Sequence, residues 1–323
     1  MLSEVMEFFR LKRDFYRVGF FETDPHRRLS NDLRTAILGG RLIAVTGMVG
    51  CGKTIFLRRL QSELDREGKI IVSKSLAVDK AKATLPVLMT ALFYDLSGEK
   101  KVKVPTQGDR RARELQDLLR RRNKPVVLFV DEAHDLHGKT LVGLKRLMEL
   151  ALDGGAMLSI VLAGHPKLRN DLRRPTMEEI GSRSIPLVLD GIAGKQREFL
   201  DWLLPQCLEK GTSVAEVITD EALDFLASRL RTPLQIEEYL TRAFEQGYEL
   251  DVRPITQEVV EAVLSHHLDD LEPRLTRHGY DVRSLAEQFH AKPAEIRLLF
   301  DGTLEARRTH ELTEQMLAAG LPL

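Results

Sequence analysis

The eight residues Gly47–Thr54 read G-M-V-G-C-G-K-T and satisfy the pattern G-x-x-x-x-G-K-[ST] in full. The apolar run Leu42–Thr46 precedes the motif and an amphipathic run follows it, so it lies between a strand and a helix, as its mechanism requires. Glycines in such a loop let backbone N–H groups approach phosphates closely, and the helix N-terminus adds partial positive charge. The pattern therefore predicts a phosphate-binding turn rather than a glycine-rich turn that fits by chance.

Every position of this motif is a candidate for binding the nucleotide. We expect the Lys53 ammonium to reach the β- and γ-phosphates and the Thr54 hydroxyl to be a ligand of Mg²⁺. Cys51 is interpreted as a small filler residue rather than a redox centre. The candidate nucleotide-binding residues are Gly47, Met48, Val49, Gly50, Cys51, Gly52, Lys53 and Thr54.

An acidic pair follows a second apolar run. Val126–Val130 has the composition of a buried strand, and Asp131 and Glu132 come directly after it. In a phosphate site, Asp131 would hold Mg²⁺ through its water shell and Glu132 would polarise the attacking water. The alternative is that the pair caps the next helix. Together with the glycine-rich loop, the pair predicts phosphoryl transfer from a Mg²⁺-bound nucleotide to water.

Short apolar runs alternate with amphipathic segments through the first 190 residues, a pattern typical of a parallel α/β sheet. After Asp190 the strand pattern stops and helical patterns continue. We predict an α/β domain with an N-terminal helical extension over 1–190, a helical unit over 191–268 and a small all-α unit over 269–323. The five predicted strands are Leu42–Thr46, Lys69–Ser73, Val126–Val130, Met157–Ala163 and Ile185–Leu189.

Composition excludes several classes of protein. The 323 residues contain 48 Lys+Arg and 48 Asp+Glu, so the formal net charge is zero, which excludes a uniformly cationic coat. Two cysteines, Cys51 and Cys207, exclude a disulfide-rich fold. The N-terminus is charged throughout, and no run of about 18 apolar residues occurs, so we expect a cytoplasmic protein without a membrane partner.

The letters of Asp131–His134, D-E-A-H, also occur in a helicase group, but the helical pattern after residue 190 leaves no room for the second nucleotide-binding-type domain that such helicases need. The two motifs, a further strand and a small helical domain instead resemble an AAA+ ATPase. The stretch from Leu158 to Leu168, L-S-I-V-L-A-G-H-P-K-L, is similar to the ExeA/TniB/TnsC-like group, which includes ATPases that choose target DNA for transposases and has MuB as a more distant relative. This resemblance, over residues 10–265, implies an AAA+ P-loop fold, ATP with Mg²⁺ as cofactors, and a helical lid over 191–268.

The resemblance also implies roles for further residues. His165 stands where the group carries a polar sensor for the γ-phosphate, commonly an amide; an ordinary surface histidine is the alternative. Arg183 matches the arginine-finger region, which acts on the neighbouring subunit's nucleotide, with Arg173 and Arg174 as competitors. Leu234 replaces the usual sensor-2 arginine, and Arg231 is the nearby substitute. With Lys53, Asp131 and Glu132, the candidate catalytic residues include His165 and Arg183.

Basic residues are concentrated between Gly98 and Lys124, where ten Lys and Arg accompany four Asp and Glu. In the related rings and filaments this part of the chain faces a central channel, so a contact with duplex DNA that does not depend on sequence is expected. The alternative is a solvated basic helix face. The candidate DNA-binding residues are Lys100, Lys101, Lys103, Arg110, Arg111, Arg113, Arg120 and Arg121.

The segment 281–300 has the spacing of a helix-turn-helix unit, which would place Lys292 and Arg297 on DNA; a protein-docking module is the alternative. The function implied by the resemblance is an ATPase that forms a homo-oligomer, ring or filament, on target DNA, recruits or activates a transposase, and is released by hydrolysis. Two alternatives stay open: a secretion or envelope ATPase, and a signalling ATPase that binds protein.

Overall fold

The computed structural model describes residues 1–75, 83–97, 102–264 and 270–323. Its described residues divide into two compact units. One comprises 24–47 and 53–189 and is called the sheet unit; the other comprises 1–23, 48–52 and 190–323 and is called the helical unit.

The sheet unit contains a five-stranded sheet, and its strands are β1 (Leu42–Thr46), β2 (Ile71–Lys74), β3 (Val126–Val130), β4 (Leu158–Gly164) and β5 (Ser184–Val188). The sheet is fully parallel, with the strand order β2-β3-β4-β1-β5. This confirms the predicted α/β fold class; β1 and β3 have the predicted bounds, and the ends of the other three strands are displaced by one or two residues.

Burial along the strands follows their position in the sheet. Every residue of β1, β3 and β4 is buried, as expected for central parallel strands covered on both faces. The two edge strands are only partly buried. Pro186 lies in β5, and an edge strand is where a residue without an N–H is tolerated.

Helices cover the sheet. In α3 (Lys53–Glu67) the apolar positions recur at helical spacing and are all buried, as the sequence pattern predicts; they are Phe56, Leu57, Leu60 and Leu64. The helices of this unit are α2 (Asp24–Leu38), α3 (Lys53–Glu67), α4 (Leu85–Ser97), α5 (Gly108–Arg122), α6 (Gly138–Asp153), α7 (Pro166–Leu172) and α8 (Glu178–Gly181).

The helical unit combines the first residues of the chain with its last third. The N-terminal segment, expected as an extension of the α/β domain, packs here: the Phe9 and Phe15 rings lie 4.6 and 5.2 Å from that of Phe244. The helices are α1 (Ser3–Phe8), α9 (Gln196–Cys207), α10 (Asp220–Arg229), α11 (Pro233–Glu249), α12 (Gln257–Val263), α13 (Leu271–Arg277), α14 (Val282–Gln288), α15 (Pro293–Phe300) and α16 (Ala306–Ala318).

Helix starts in this unit follow capping chemistry. Thr232 accepts from the Gln235 N–H, Gln235 bonds back to Thr232, and Pro233 occupies the first helical position of α11. Helices α13–α16 have a small core of their own that includes Leu275, Tyr280 and Met316. Among the described residues, none of the helices has the length and apolar character needed to cross a membrane.

Candidate active site

The first element of the candidate site is the junction between β1 and α3. Lys53 is the first residue of α3 and is 6% exposed, and its ammonium donates to the Gly47 carbonyl at 2.8 Å. The first turn of α3 contains no acidic residue. A buried cation at the positive end of a helix is favourable when an anion binds there, so this helix start is suited to a phosphate.

The second element is the carboxyl end of β3. The Thr54 hydroxyl donates to Asp131 Oδ2 at 3.0 Å, although the residues are 77 positions apart, and Asp131 Oδ1 accepts from the Glu132 N–H at 3.0 Å. A hydroxyl and a carboxylate are oxygen ligands of the kind that Mg²⁺ prefers, bound directly or through its water shell. The two side chains therefore fit Mg²⁺ in their chemistry.

Glu132 has an unusual backbone conformation. Its φ of 52° and ψ of 39° are left-handed, a region that residues other than glycine seldom occupy. The chain turns sharply after the buried strand at this point. The Glu132 carboxylate is 41% exposed, whereas the preceding strand is wholly buried. A water molecule can therefore reach this carboxylate at the carboxyl end of β3.

The third element is the end of β4, which lies between β1 and β3 in the sheet. His165 follows β4, and its Nε2 lies 3.6 Å from Glu132 Oε2. The ring of His134 stacks on that of His165, with centroids 3.9 Å apart, and its Nδ1 lies 3.4 Å from the same carboxylate oxygen. Burial lowers the pKa of His134, against the opposing effect of Asp135 and Glu132, and so favours neutral imidazole.

His134 was not among the residues predicted for the site. The sequence offered one signal, because His134 stands two positions after Glu132 within the D-E-A-H letters. The parallel pairing of β3 with β4 brings it against His165, 31 positions away. The site at this sheet edge therefore contains a carboxylate and two imidazoles.

The central part of the glycine-rich loop, 48–52, belongs to the helical unit. The Leu234 N–H donates to the Gly50 carbonyl at 3.3 Å, and the Val49 N–H donates to the Arg277 carbonyl at 2.9 Å. Gly50 has a φ of 76°, and a Cβ there would lie 2.6 Å from Leu234 Cβ. Cys51 is 3% exposed, and its role as a filler stays a prediction.

The arginines predicted as finger and sensor lie on the surface. Arg183 is 63% exposed and pairs with Glu149 at 2.8 Å. Of its competitors, Arg174 pairs with Asp171 at 2.7 Å, and Arg173 is exposed. Arg231 is also exposed and directly precedes α11. Which of them acts on a neighbouring nucleotide stays a prediction.

The basic segment lies mostly on α5. Lys100 and Lys101 are outside the described residues. Arg110 pairs with Glu114 at 2.7 Å, and Arg111 donates to the Pro105 carbonyl at 3.4 Å. Within the described parts of the chain, no hydrogen bond or ion pair involves the side chains of Lys103, Arg113, Arg120 and Arg121, all exposed.

The predicted helix-turn-helix segment forms α14 and α15, joined by a turn in which His290 has a φ of 50°. Lys292 and Arg297 are both exposed. This arrangement leaves both basic side chains available to a partner, and the kind of partner stays a prediction.

The parallel sheet and the glycine-rich loop that follows β1 together define the fold class of this chain, an α/β P-loop fold. Residues 37–172 match the family model described as AAA domain. Over 154 residues the chain is 31% identical to general secretion pathway protein A of Aeromonas hydrophila; the match covers 45% of this chain and 26% of that protein. The chain thus spans about a quarter of the length of this relative.

Two solved structures show the same fold at low identity. Drosophila ORC bound to DNA has a TM-score of 0.55, with 15% identity over 98% of this chain and 84% of that one. The Aeropyrum pernix ORC1 protein in complex with DNA has a TM-score of 0.52, with 15% identity over 99% of this chain and 89% of that one. The likeness concerns the fold alone.

Proposed function

We propose that this protein hydrolyses ATP in the presence of Mg²⁺ and that nucleotide binding controls its assembly on duplex DNA. The observation that carries the hydrolytic part is the 3.0 Å bond between Thr54 and Asp131, which joins the two phosphate-site motifs. In this proposal residues 47–54 bind the phosphates, and Lys53 neutralises their charge.

The chain's own residues divide the catalytic work. Thr54 and Asp131 would hold Mg²⁺, which would supply positive charge against the phosphates. Glu132 accepts hydrogen bonds from the attacking water and orients it. His165, which follows β4, donates a hydrogen bond to the γ-phosphate. Arg183 supplies a positive charge to the site of an adjacent subunit, which makes oligomer formation a condition for fast hydrolysis.

The DNA part of the proposal rests on the surface of α5. Arg113 and Arg120 are seven residues apart, so they lie on one helix face about 10 Å apart along the axis. Together with Lys103 and Arg121 they form an exposed cationic surface that can follow a phosphate backbone without contacting base edges. Two proteins with a similar fold are described as DNA complexes, which supports this choice of ligand.

The finer proposal is that the assembled protein recruits or activates a transposase and leaves DNA after hydrolysis. It rests on the resemblance of 158–168 to the transposition ATPases. The test is retention of the full chain on duplex DNA at low salt, with ATP, ADP or no nucleotide. ATP-dependent retention is expected; equal retention in all three conditions, or none, contradicts the proposal.

Glu132→Gln sharpens this test because it removes the group that orients water and keeps the phosphate-binding residues. The variant should accumulate as an ATP-bound oligomer on DNA, measured by light scattering, whereas Lys53→Ala should bind no nucleotide. A Glu132→Gln protein that stays monomeric with ATP and DNA would refute the coupling of nucleotide to assembly.

A second candidate function is that of a secretion ATPase, favoured by the 31% identity to general secretion pathway protein A. In that case DNA would neither stimulate hydrolysis nor change the oligomeric state. Comparison of ATPase rates with and without duplex DNA separates the two functions, since a DNA-bound oligomer should hydrolyse ATP faster than the free subunit.

A further inference from the structure

We propose that Glu132, His134 and His165 form a binding site for a transition-metal ion of the zinc type, distinct from the Mg²⁺ site, and that its occupancy stops ATP hydrolysis. The binding site stands on geometry alone, and its effect on hydrolysis rests on the role proposed above for Glu132. All three residues belong to the sheet unit.

The donor atoms converge at distances that suit a single ion. Each residue offers one ligand atom, and the three atoms lie within 4.8 Å of one another. In a tetrahedral zinc site with bonds of 2.0–2.1 Å, neighbouring ligand atoms lie about 3.3 Å apart. Glu132 Oε2 lies 3.4 Å from His134 Nδ1 and 3.6 Å from His165 Nε2, close to that spacing.

The donor types also suit a metal ion of the zinc type. A carboxylate with two imidazoles is a donor set that zinc accepts and that Mg²⁺, which prefers oxygen ligands, does not.

Two features surround the His134 ring. Its other nitrogen, Nε2, lies 3.7 Å from Asp135 Oδ1, so a carboxylate stands near it at a separation longer than a hydrogen bond. Gly164 packs closely on His134, because a Cβ at that position would lie 3.2 Å from both the backbone nitrogen and Nδ1 of His134.

Occupancy would act on hydrolysis in a defined way. A metal ion bound to Oε2 occupies that oxygen and withdraws negative charge from the carboxylate, so Glu132 becomes a weaker hydrogen-bond acceptor for the attacking water. Thr54 and Asp131 are not ligands of this ion, so nucleotide binding with Mg²⁺ would continue. Zinc should therefore lower the hydrolysis rate of the protein without lowering its affinity for ATP.

The first experiment measures metal binding without nucleotide, so its result does not depend on ATPase activity. The full chain is titrated with Co²⁺, followed by its visible absorption, and Zn²⁺ is then added as competitor. One ion per chain is expected, with binding weakened at least ten-fold in His134→Ala and in His165→Gln. His137→Asn, which removes an exposed imidazole but keeps an acceptor at the start of α6, is the control and should bind as the wild type does.

No binding by the wild type, or equal binding by His134→Ala, would overturn the site. The second experiment measures ATP hydrolysis in excess Mg²⁺ with increasing Zn²⁺, and recovery with a chelator selective for zinc. Inhibition of the wild type and of His137→Asn, with at least ten-fold more Zn²⁺ needed for His134→Ala, is expected. Metal binding without inhibition would overturn the proposed effect on hydrolysis. If the wild type hydrolyses no ATP at all, the proposed function is refuted. The metal titration then still decides whether the site exists.

Discussion

The Thr54 hydroxyl donates to Oδ2 of Asp131 across 3.0 Å, and this bond joins the start of α3 to the end of β3. In parallel sheets the carboxyl ends of the strands lie on one edge, where ligands of α/β proteins bind. Strand β4 lies between β3 and β1, ends with Gly164 and is followed by His165. The carboxyl ends of β1, β3 and β4 therefore bring together the Thr54 hydroxyl, the carboxylates of Asp131 and Glu132, and the His165 imidazole.

Replacement of Asp131 by Asn should remove the metal-dependent part of nucleotide binding. The amide keeps the shape of the carboxylate but lacks the charge that Mg²⁺ requires, so hydrolysis should fall at least 100-fold, which corresponds to about 2.7 kcal/mol. Nucleotide affinity should fall in Mg²⁺ and stay unchanged in excess EDTA. Asp153→Asn, at the exposed end of α6, is the control. Wild-type hydrolysis by Asp131→Asn would refute the role given to this carboxylate.

The glycine-rich loop allows a comparison between two left-handed glycines. Gly50 has a φ of 76° and Gly52 a φ of 94°, so alanine is strained at both positions. Only at Gly50 would the new Cβ meet other atoms, with Leu234 Cβ 2.6 Å away; at Gly52 no atom lies within 4 Å. Gly50→Ala should therefore lower the free energy of unfolding by about 1–3 kcal/mol more than Gly52→Ala does.

Urea unfolding followed by circular dichroism measures this difference. Gly52→Ala is the matched control, since it carries the backbone strain without the steric contact. Equal losses of stability in the two variants would mean that the loop moves away from Leu234 without lowering the free energy of unfolding.

Much of this site was predictable because its chemistry is local. The segment Gly47–Thr54 specifies its own conformation, and a buried β-branched run followed by Asp131 and Glu132 identifies the second motif. Strand ends were displaced, as for β2, because the apolar pattern does not mark where pairing with the neighbouring strand begins. The fold class was predicted correctly because few architectures other than a parallel α/β sheet are compatible with short apolar runs that alternate with helices.

Strand order is the part that local patterns do not contain. Neighbouring strands are determined by tertiary packing, and the stacking of His134 on His165 depends on β4 lying next to β3.

A count of charged residues also does not show which side chains are available to a ligand. Arg111 and Arg122 both donate to main-chain carbonyls, so they contribute less to the basic surface than their number suggests.

The carboxyl group of Glu237, in α11 of the helical unit, should make stability depend on pH. Burial, with a smaller contribution from the charge of Asp14, raises the pKa of Glu237 from 4.5 to about 7. Below pH 4.5 the side chain is protonated in both the folded and the unfolded protein. As the pH rises from 4.5 to about 7, the unfolded chain ionises first, so the free energy of unfolding falls, and above about pH 7 the loss stays constant.

Glu237→Gln removes this loss, so it should be more stable than the wild type by about 1 kcal/mol at pH 8, a value reduced for partial exposure of the group, and by less at pH 5. Urea unfolding at the two pH values measures the difference. A Glu237→Gln protein with the same advantage at pH 5 and pH 8 would show that its effect comes from packing rather than from ionisation.

The exposed cations of α5 offer a quantitative test of DNA binding. Arg120 and Arg121 lie in the last turn, where positive charge also favours the helix dipole, so neutral glutamine is preferable to charge reversal. If both side chains contact phosphates, their replacement removes two released counterions, and the slope of log K against log salt should become shallower by about 2. Affinity should fall equally for unrelated sequences, because contacts to phosphates carry no base information.

Arg27 and Arg28 provide the matched control, since they form an exposed adjacent pair on another helix, α2. The Arg27→Gln and Arg28→Gln double variant carries the same change in net charge, so a general electrostatic effect would weaken DNA binding in both double variants. Fluorescence anisotropy of labelled duplex, measured with ATP at four salt concentrations, distinguishes the two. A shallower slope confined to the Arg120 and Arg121 variant places the DNA on α5. Equal slopes in both variants and the wild type would mean that DNA binds elsewhere on the chain, with the exposed Lys292 and Arg297 of the helix-turn-helix segment the next residues to replace.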